Sequence, residues 1–168
     1  MPIALDFAHA DQTVAHFNGL VTRATDPLIA AKYAGFVSVA AVCAYEMSVK
    51  DIFITFSVKK HVVLGNITRD RFDRISGRIG YKVLKDEYVP MFGEKYSDRF
   101  AARIRANSRQ FLKANGRDFI SSYNNVVLWR NDFVHAARLP TTATFNEVMR
   151  SYEDGKEVIR CLNLAMDR

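Results

Sequence analysis

"DPLIAAKYAGFVSVAAVCAYEMSVKDIFITFSVKK", Asp26 to Lys60, decides the fold. Asp26-Pro27 is a good N-cap and first-turn pair, because the carboxylate satisfies free amides while proline has no N–H to lose. No breaker follows until about Lys59 or Lys60, so the spacing predicts one long helix, the spine of a bundle. Its late part, "DIFITFSV", is β-branched and aromatic, yet no turn signal separates it from the helix before it. The run from Leu28 to Tyr45 is long enough to test for a membrane span. Lys32 sits inside it, Glu46 and Lys50 follow, and it is rich in Ala, Gly and Ser. A buried bundle helix fits that composition better than a bilayer span, and no membrane partner is expected.

Outward from this helix the 3.6-residue period continues. A first helix is expected from about Asp11 to Ala24, with Val14, Phe17, Leu20 and Val21 at helical spacing. "RDRFDRISGRIGYKVLKDEY" places Phe72, Ile75, Ile79 and Val83 on one stripe. Arg71, Arg74, Arg78, Lys82 and Lys85 form the next, with Gly77 and Gly80 weakening the middle. Val89 to Tyr96 reads as a loop. Ser97 then caps a helix carrying Phe100, Ile104 and Phe111, with Arg105, Arg109 and Lys113 on another face, and Asn115-Gly116 closes it. A further helix spans roughly Arg117 to Ala137, and Pro140 ends its neighbourhood. Thr144 and Glu147 form a capping box that opens the last helix. The expectation is an all-α, single-domain bundle of five to six helices over residues 1–168.

Composition agrees: of 168 residues, 49% are hydrophobic and 25% charged, enough apolar material for one real core. Cys43 and Cys161 stand alone, with no CxxC, so neither a disulfide framework nor a zinc site is expected, and a reducing compartment fits. The first residues, "MPIALDFAHADQ", lack a basic region followed by an apolar run, so a cytoplasmic protein without a secretory signal is expected. From Arg69 to Arg117 there are 13 Lys/Arg against 6 Asp/Glu, while the rest of the chain is near neutral. The basic middle suits a polyanion such as RNA, through Arg71, Arg74, Arg78, Lys82, Arg105 and Arg109; a solvated mixed-charge surface is the alternative.

Nucleotide-loop and metallopeptidase motifs are missing: there is no GxxxxGK, no GxGxxG after a strand and no HExxH. "GRIG" superficially resembles a KH-domain loop, but its surroundings read as helical and it is set aside. His9, His16 and His61 have no ligand-spaced partners and read as surface or capping residues.

"LWRNDFVHA", Leu128 to Ala136, differs from the rest. Stepping by three and four, Ile120, Tyr123, Val127, Arg130 and Val134 share a stripe, which puts a guanidinium on a largely apolar face. A buried charge needs a partner. Glu46, the only acid between Asp26 and Asp51, is the natural candidate, and an interhelical Arg130–Glu46 ion pair is the plain structural reading. Asn131 and His135, four apart, are helix neighbours. Arg130 and His135 diverge by roughly 140° on a regular helix. Two copies meeting across a twofold axis, or a helix that unwinds near His135, would bring them together.

These residues resemble the Rx4–6H motif of the HEPN superfamily, in the form Arg-Asn-x-x-x-His. A long second helix with an acid and a last helix opening at "PTTATFNEV" resemble the RiboL-PSP type of HEPN domain. The resemblance implies a metal-independent endoribonuclease without cofactors, working as a homodimer whose two motifs line one cleft, in a defence or toxin setting. Arg130 would hold the scissile phosphate and His135 would act as general base or acid. Asn131 would orient either His135 or the phosphate, with Glu46 in support. An antitoxin or defence-system protein would be the further partner. Some HEPN domains instead dimerise or bind nucleotides without catalysis, which is the alternative. In HEPN toxins paired with a nucleotidyltransferase antitoxin a tyrosine follows the histidine by two residues; here that position is Ala137, which speaks against that branch.

Overall fold

The computed structural model describes residues 2–23, 26–136, 138–140 and 143–167. Helices α1 (Ala8–Val21), α2 (Pro27–Lys60), α3 (Val62–Asp73), α4 (Tyr81–Val83), α5 (Glu94–Asn115), α6 (Phe119–His135) and α7 (Phe145–Met166) follow in order, with no strand among the described residues. The architecture is the all-α bundle expected, with seven α-helices among the described residues rather than five or six. Ala24, Ala137, Thr141 and Thr142, named in the expected helix ends and the last-helix motif, lie outside the described residues.

Local capping signals act where the sequence placed them. The Asp26 carboxylate accepts the Leu28 amide at 2.8 Å, and Gly116 closes α5 in the left-handed region at φ 67°. Thr144 and Glu147 form both halves of their capping box, and those hydrogen bonds from Thr144 lower the pKa of the Glu147 carboxyl. His61 ends α2 and starts α3, where its Nδ1 accepts the Val63 amide at 3.2 Å.

Several boundaries differ from those expected. The first helix begins at Ala8, three residues early, because the Asp6 side chain accepts the Ala8 amide. The helix expected through Arg71 to Lys85 is broken. α3 stops at Asp73, residues 74–80 form a loop with Gly77 at φ 66°, and the chain resumes as α4. A wide π-helical stretch (Leu84–Tyr88) ends the segment expected to be helical, and a tight 3-10 turn (Val89–Phe92) follows where a loop was expected. α5 then starts at Glu94 behind Gly93, not at Ser97.

α2 is the spine. At 34 residues it runs roughly 50 Å, and α1, α3, α6 and α7 pack along it. Among the described residues it is the one helix long and apolar enough to cross a bilayer; in the bundle Val37, Ala41, Tyr45, Val49 and Phe53 are buried. α2, α6 and α7 meet at a cluster of tyrosines. The Tyr45 ring stacks on Tyr123 at 4.9 Å, and its hydroxyl donates to the Tyr152 carbonyl at 2.5 Å. Gly155 of α7 makes room for this: a Cβ there would stand 2.4 Å from the Tyr45 hydroxyl and 3.1 Å from the Tyr123 backbone. Burial pushes all three phenols upward, so they stay neutral donors. Across the bundle, buried Asp154 takes both arms of Arg117, at 2.7 and 2.9 Å, tying the entry of α6 to α7.

Because the Gly155 site has no free volume, Gly155→Ala should cost about 1–3 kcal/mol in urea denaturation despite alanine's better helix propensity. A neutral or stabilising result would show that the tyrosine cluster yields readily.

Candidate active site

The fold sets the C-terminal end of α6 against the loop of residues 74–80. Asp118 caps α6 by accepting the amides of Ile120 and Ser121, and the helix ends at His135, with Ala136 as its C-cap. The last turn and a half therefore carries Arg130, Asn131 and His135 at a free end. Ser76, Gly77 and Arg78 face them across an open cleft of about 500 Å³ that Asp132 and Ala136 also line.

Within one chain Arg130 and His135 meet. Arg130 Nη1 lies 3.3 Å from His135 Nε2 and 3.0 Å from Asn131 Oδ1. The 140° divergence applies to Cα–Cβ directions. An arginine side chain is long enough to reach round the helix end, and no further turn obstructs it. The guanidinium can only donate, so a hydrogen bond here requires Nε2 as its acceptor. Asn131 accepts from Arg130 through its side-chain carbonyl, a contact that the expected roles of orienting His135 or the phosphate did not include.

The expected Arg130–Glu46 ion pair does not form. Glu46 Oε1 sits 2.9 Å from Lys50 Nζ, one turn along α2, and Oε2 accepts the Gly77 amide at 2.6 Å. Gly77 touches both sides: a Cβ on it would come within 2.6 Å of Arg130 Nη1. The loop backbone thus stands between carboxylate and guanidinium. A side chain at Gly77 is disfavoured by the positive φ and would push the Arg130 head aside.

The loop is fastened on every side. Besides the Glu46 bond, the Arg78 carbonyl accepts from the Tyr88 hydroxyl at 2.9 Å, and the Ile79 carbonyl from buried Tyr123 at 2.7 Å. The Tyr81 amide donates to Asn124 Oδ1 at 3.1 Å. The tyrosine cluster of the core therefore holds one wall of the cleft.

Of the six basic residues expected to contact RNA, only Arg78 lines this cleft, and its guanidinium is engaged by Glu87 at 2.7 and 2.9 Å. That pairing raises the Arg78 pKa, so its charge is permanent. Arg74 pairs with Asp70 at the end of α3, Arg71 lines a separate hollow, and Lys82, Arg105 and Arg109 are exposed on α4 and α5. The break at Gly77 is what divides the presumed stripe. Sequence reading missed Ser76 and Gly77 by setting "GRIG" aside. The available signal was two glycines three apart inside a supposed helix, which marks a special backbone more often than a weak helix.

The chain matches the RiboL-PSP-HEPN family model over residues 5–167 and belongs to that family. Neither the curated proteins nor the solved structures yield a significant match. Membership supports an RNA-related, nuclease or nucleotide-binding role.

Glu46→Ala should release the Gly77 amide. Hydrogen exchange at Gly77 is expected to accelerate by about tenfold or more, while core amides of α2 and α6 keep their protection. Unchanged exchange at Gly77 would mean that Glu46 does not hold the loop. Gly77→Ala should cost about 1–2 kcal/mol from its positive φ alone, with further disturbance of Arg130 visible as a shift of the His135 ring resonances.

Proposed function

We propose that this chain is a metal-independent endoribonuclease of the HEPN type, one domain over residues 1–168, acting as a cytoplasmic homodimer in a defence or toxin role. The observation that carries the reading is the convergence of Arg130, Asn131 and His135 on one open cleft, at the end of a helix and against a fastened loop.

The chemistry follows from the groups present. A guanidinium suits the scissile phosphate because it offers paired donors and spreads its charge over the developing anion. Arg130 already points into the cleft, and Asn131 restrains it. His135 takes the proton of the ribose 2′-OH as that oxygen attacks phosphorus. The P–O5′ bond breaks, and a protonated imidazole, from the second copy in a composite cleft, supplies the proton to the leaving oxygen. The products are a 2′,3′-cyclic phosphate and a free 5′-OH, and DNA resists for want of the 2′-OH. Arg78, held beside the cleft by Glu87, is placed for a neighbouring phosphate. An antitoxin or other defence-system protein is the partner such an activity calls for.

In EDTA, wild type should cleave single-stranded RNA and leave 2′,3′-cyclic ends. His135→Ala should slow cleavage by about 10²–10⁴-fold and Arg130→Ala by about 10²–10³-fold. Both variants should stay within about 1 kcal/mol of wild type in stability, because neither side chain fills the core. Intact RNA after incubation with wild type, or unimpaired cutting by His135→Ala, would leave only a dimerising or nucleotide-binding module. Sedimentation as a monomer at micromolar concentration would remove the composite cleft.

A further inference from the structure

We infer that the outer face of α3 is a docking surface for an acidic, amphipathic segment of a partner protein. This inference stands apart from the ribonuclease reading, and none of its readouts is catalytic.

α3 is built the wrong way round for a helix that serves only its own bundle. Its buried face is Gly65, Thr68 and Phe72. Gly65 lets α3 lie close to Val58 of α2, and Thr68 donates to the buried Ser57 hydroxyl at 2.8 Å. Its large aliphatic residues point outward: Val62, Val63 and Ile67 are 64%, 54% and 62% exposed. A surface helix normally turns such residues toward the core, and a clustered apolar face left to water marks an interaction site. Met91, also exposed, stands across the neighbouring groove.

At Ile67 the exposed patch borders a groove. Leu64 and Ile67 form one bank of a groove of about 680 Å³ and Met91 stands on the other. That volume lies in the range of about 300–1,000 Å³ that buries ligand-sized groups. The floor is aromatic: Phe56 meets Phe92 and Tyr96 edge-on, with ring centres 5.6 and 4.9 Å apart. Rigid rings at the bottom of a groove favour inserted side chains over a flat lipid surface.

Charge selects among occupants. Lys60 Nζ lies 5.4 Å from the Phe56 ring centre and Lys95 Nζ 6.0 Å from that of Tyr96, while Arg71 lines the groove directly. Among the described residues no carboxylate lines it. A second copy docking by twofold symmetry would set this basic rim against itself, in a chain of net charge +6. A segment presenting apolar side chains among Asp and Glu meets both the floor and the rim. Such a partner would sit one short loop from the cleft, because α3 runs directly into residues 74–80.

The test is selection on the whole chain of phage-displayed random peptides, long enough for about four helical turns. Enriched peptides should be acidic and apolar. Their affinity should fall by at least about tenfold for Ile67→Glu and for Val63→Ser, and fall with added salt and for Arg71→Glu. Ile67 and Val63 are exposed, and matching thermal melts will establish that both variants fold. Enrichment of neutral or basic peptides, no enrichment, or equal affinity for Ile67→Glu would overturn the inference. So would Ile67→Glu abolishing self-association in sedimentation, which would make the face a contact between copies. Preferential binding of wild type over Ile67→Glu to phosphatidylcholine–phosphatidylserine vesicles, with no peptide selected, would overturn it in favour of a lipid surface.

Discussion

The bond from the Gly77 amide to the Glu46 carboxylate is the contact on which the cleft depends. α2 and α6 are already fixed relative to each other by the tyrosines that close around Gly155. What they leave open is where the chain between α3 and α4 goes. Glu46 answers that from one side and Tyr123 from the other, so a loop of seven residues inherits the rigidity of the two helices. Arg130 then rests against a backbone that has no side chain to repel it. The carboxylate is thus one step removed from the guanidinium, acting through a peptide group and not through direct charge pairing.

Much of the fold was legible because its signals are local. Asp26, Gly116 and the Thr144–Glu147 box each satisfy backbone groups within a few residues of themselves, and each does so in the structure. The motif Arg130-Asn131-x-x-x-His135 was legible for the same reason: the three residues occupy one end of one helix. Residues 74–80 were not. Ile75 and Ile79 keep helical spacing with Phe72 although the chain between them is a loop, since apolar residues drawn into a core need not share an element. The bonds that shape the loop join residues 31 to 44 apart in sequence, apart from the nearer Tyr88 contact, and leave no periodic trace. The meeting of Arg130 and His135 was hidden by a different limit: a helical wheel places Cβ atoms, while this contact is made by a long side chain at the end of a helix.

Charge tells a similar story. The basic middle of the sequence suggested one polyanion surface, yet the fold distributes it. Arg78 goes to the cleft, Arg71 to the aromatic groove, and Arg105 with Arg109 to the open side of α5. A run of like charge along the chain is a statement about composition. Only the folded arrangement says how many separate surfaces that composition serves.

The bonds made by Gly77, Arg78 and Ile79, with that of Tyr81 just beyond the loop, have a thermodynamic consequence. The conformational entropy of this wall is surrendered when the chain folds and does not have to be surrendered again when a ligand arrives. The cleft is in that sense prepaid, and its competence is tied to the integrity of the α2–α6 seam. Loosening that seam, even far from Arg130, would return disorder to the loop well before the bundle unfolds.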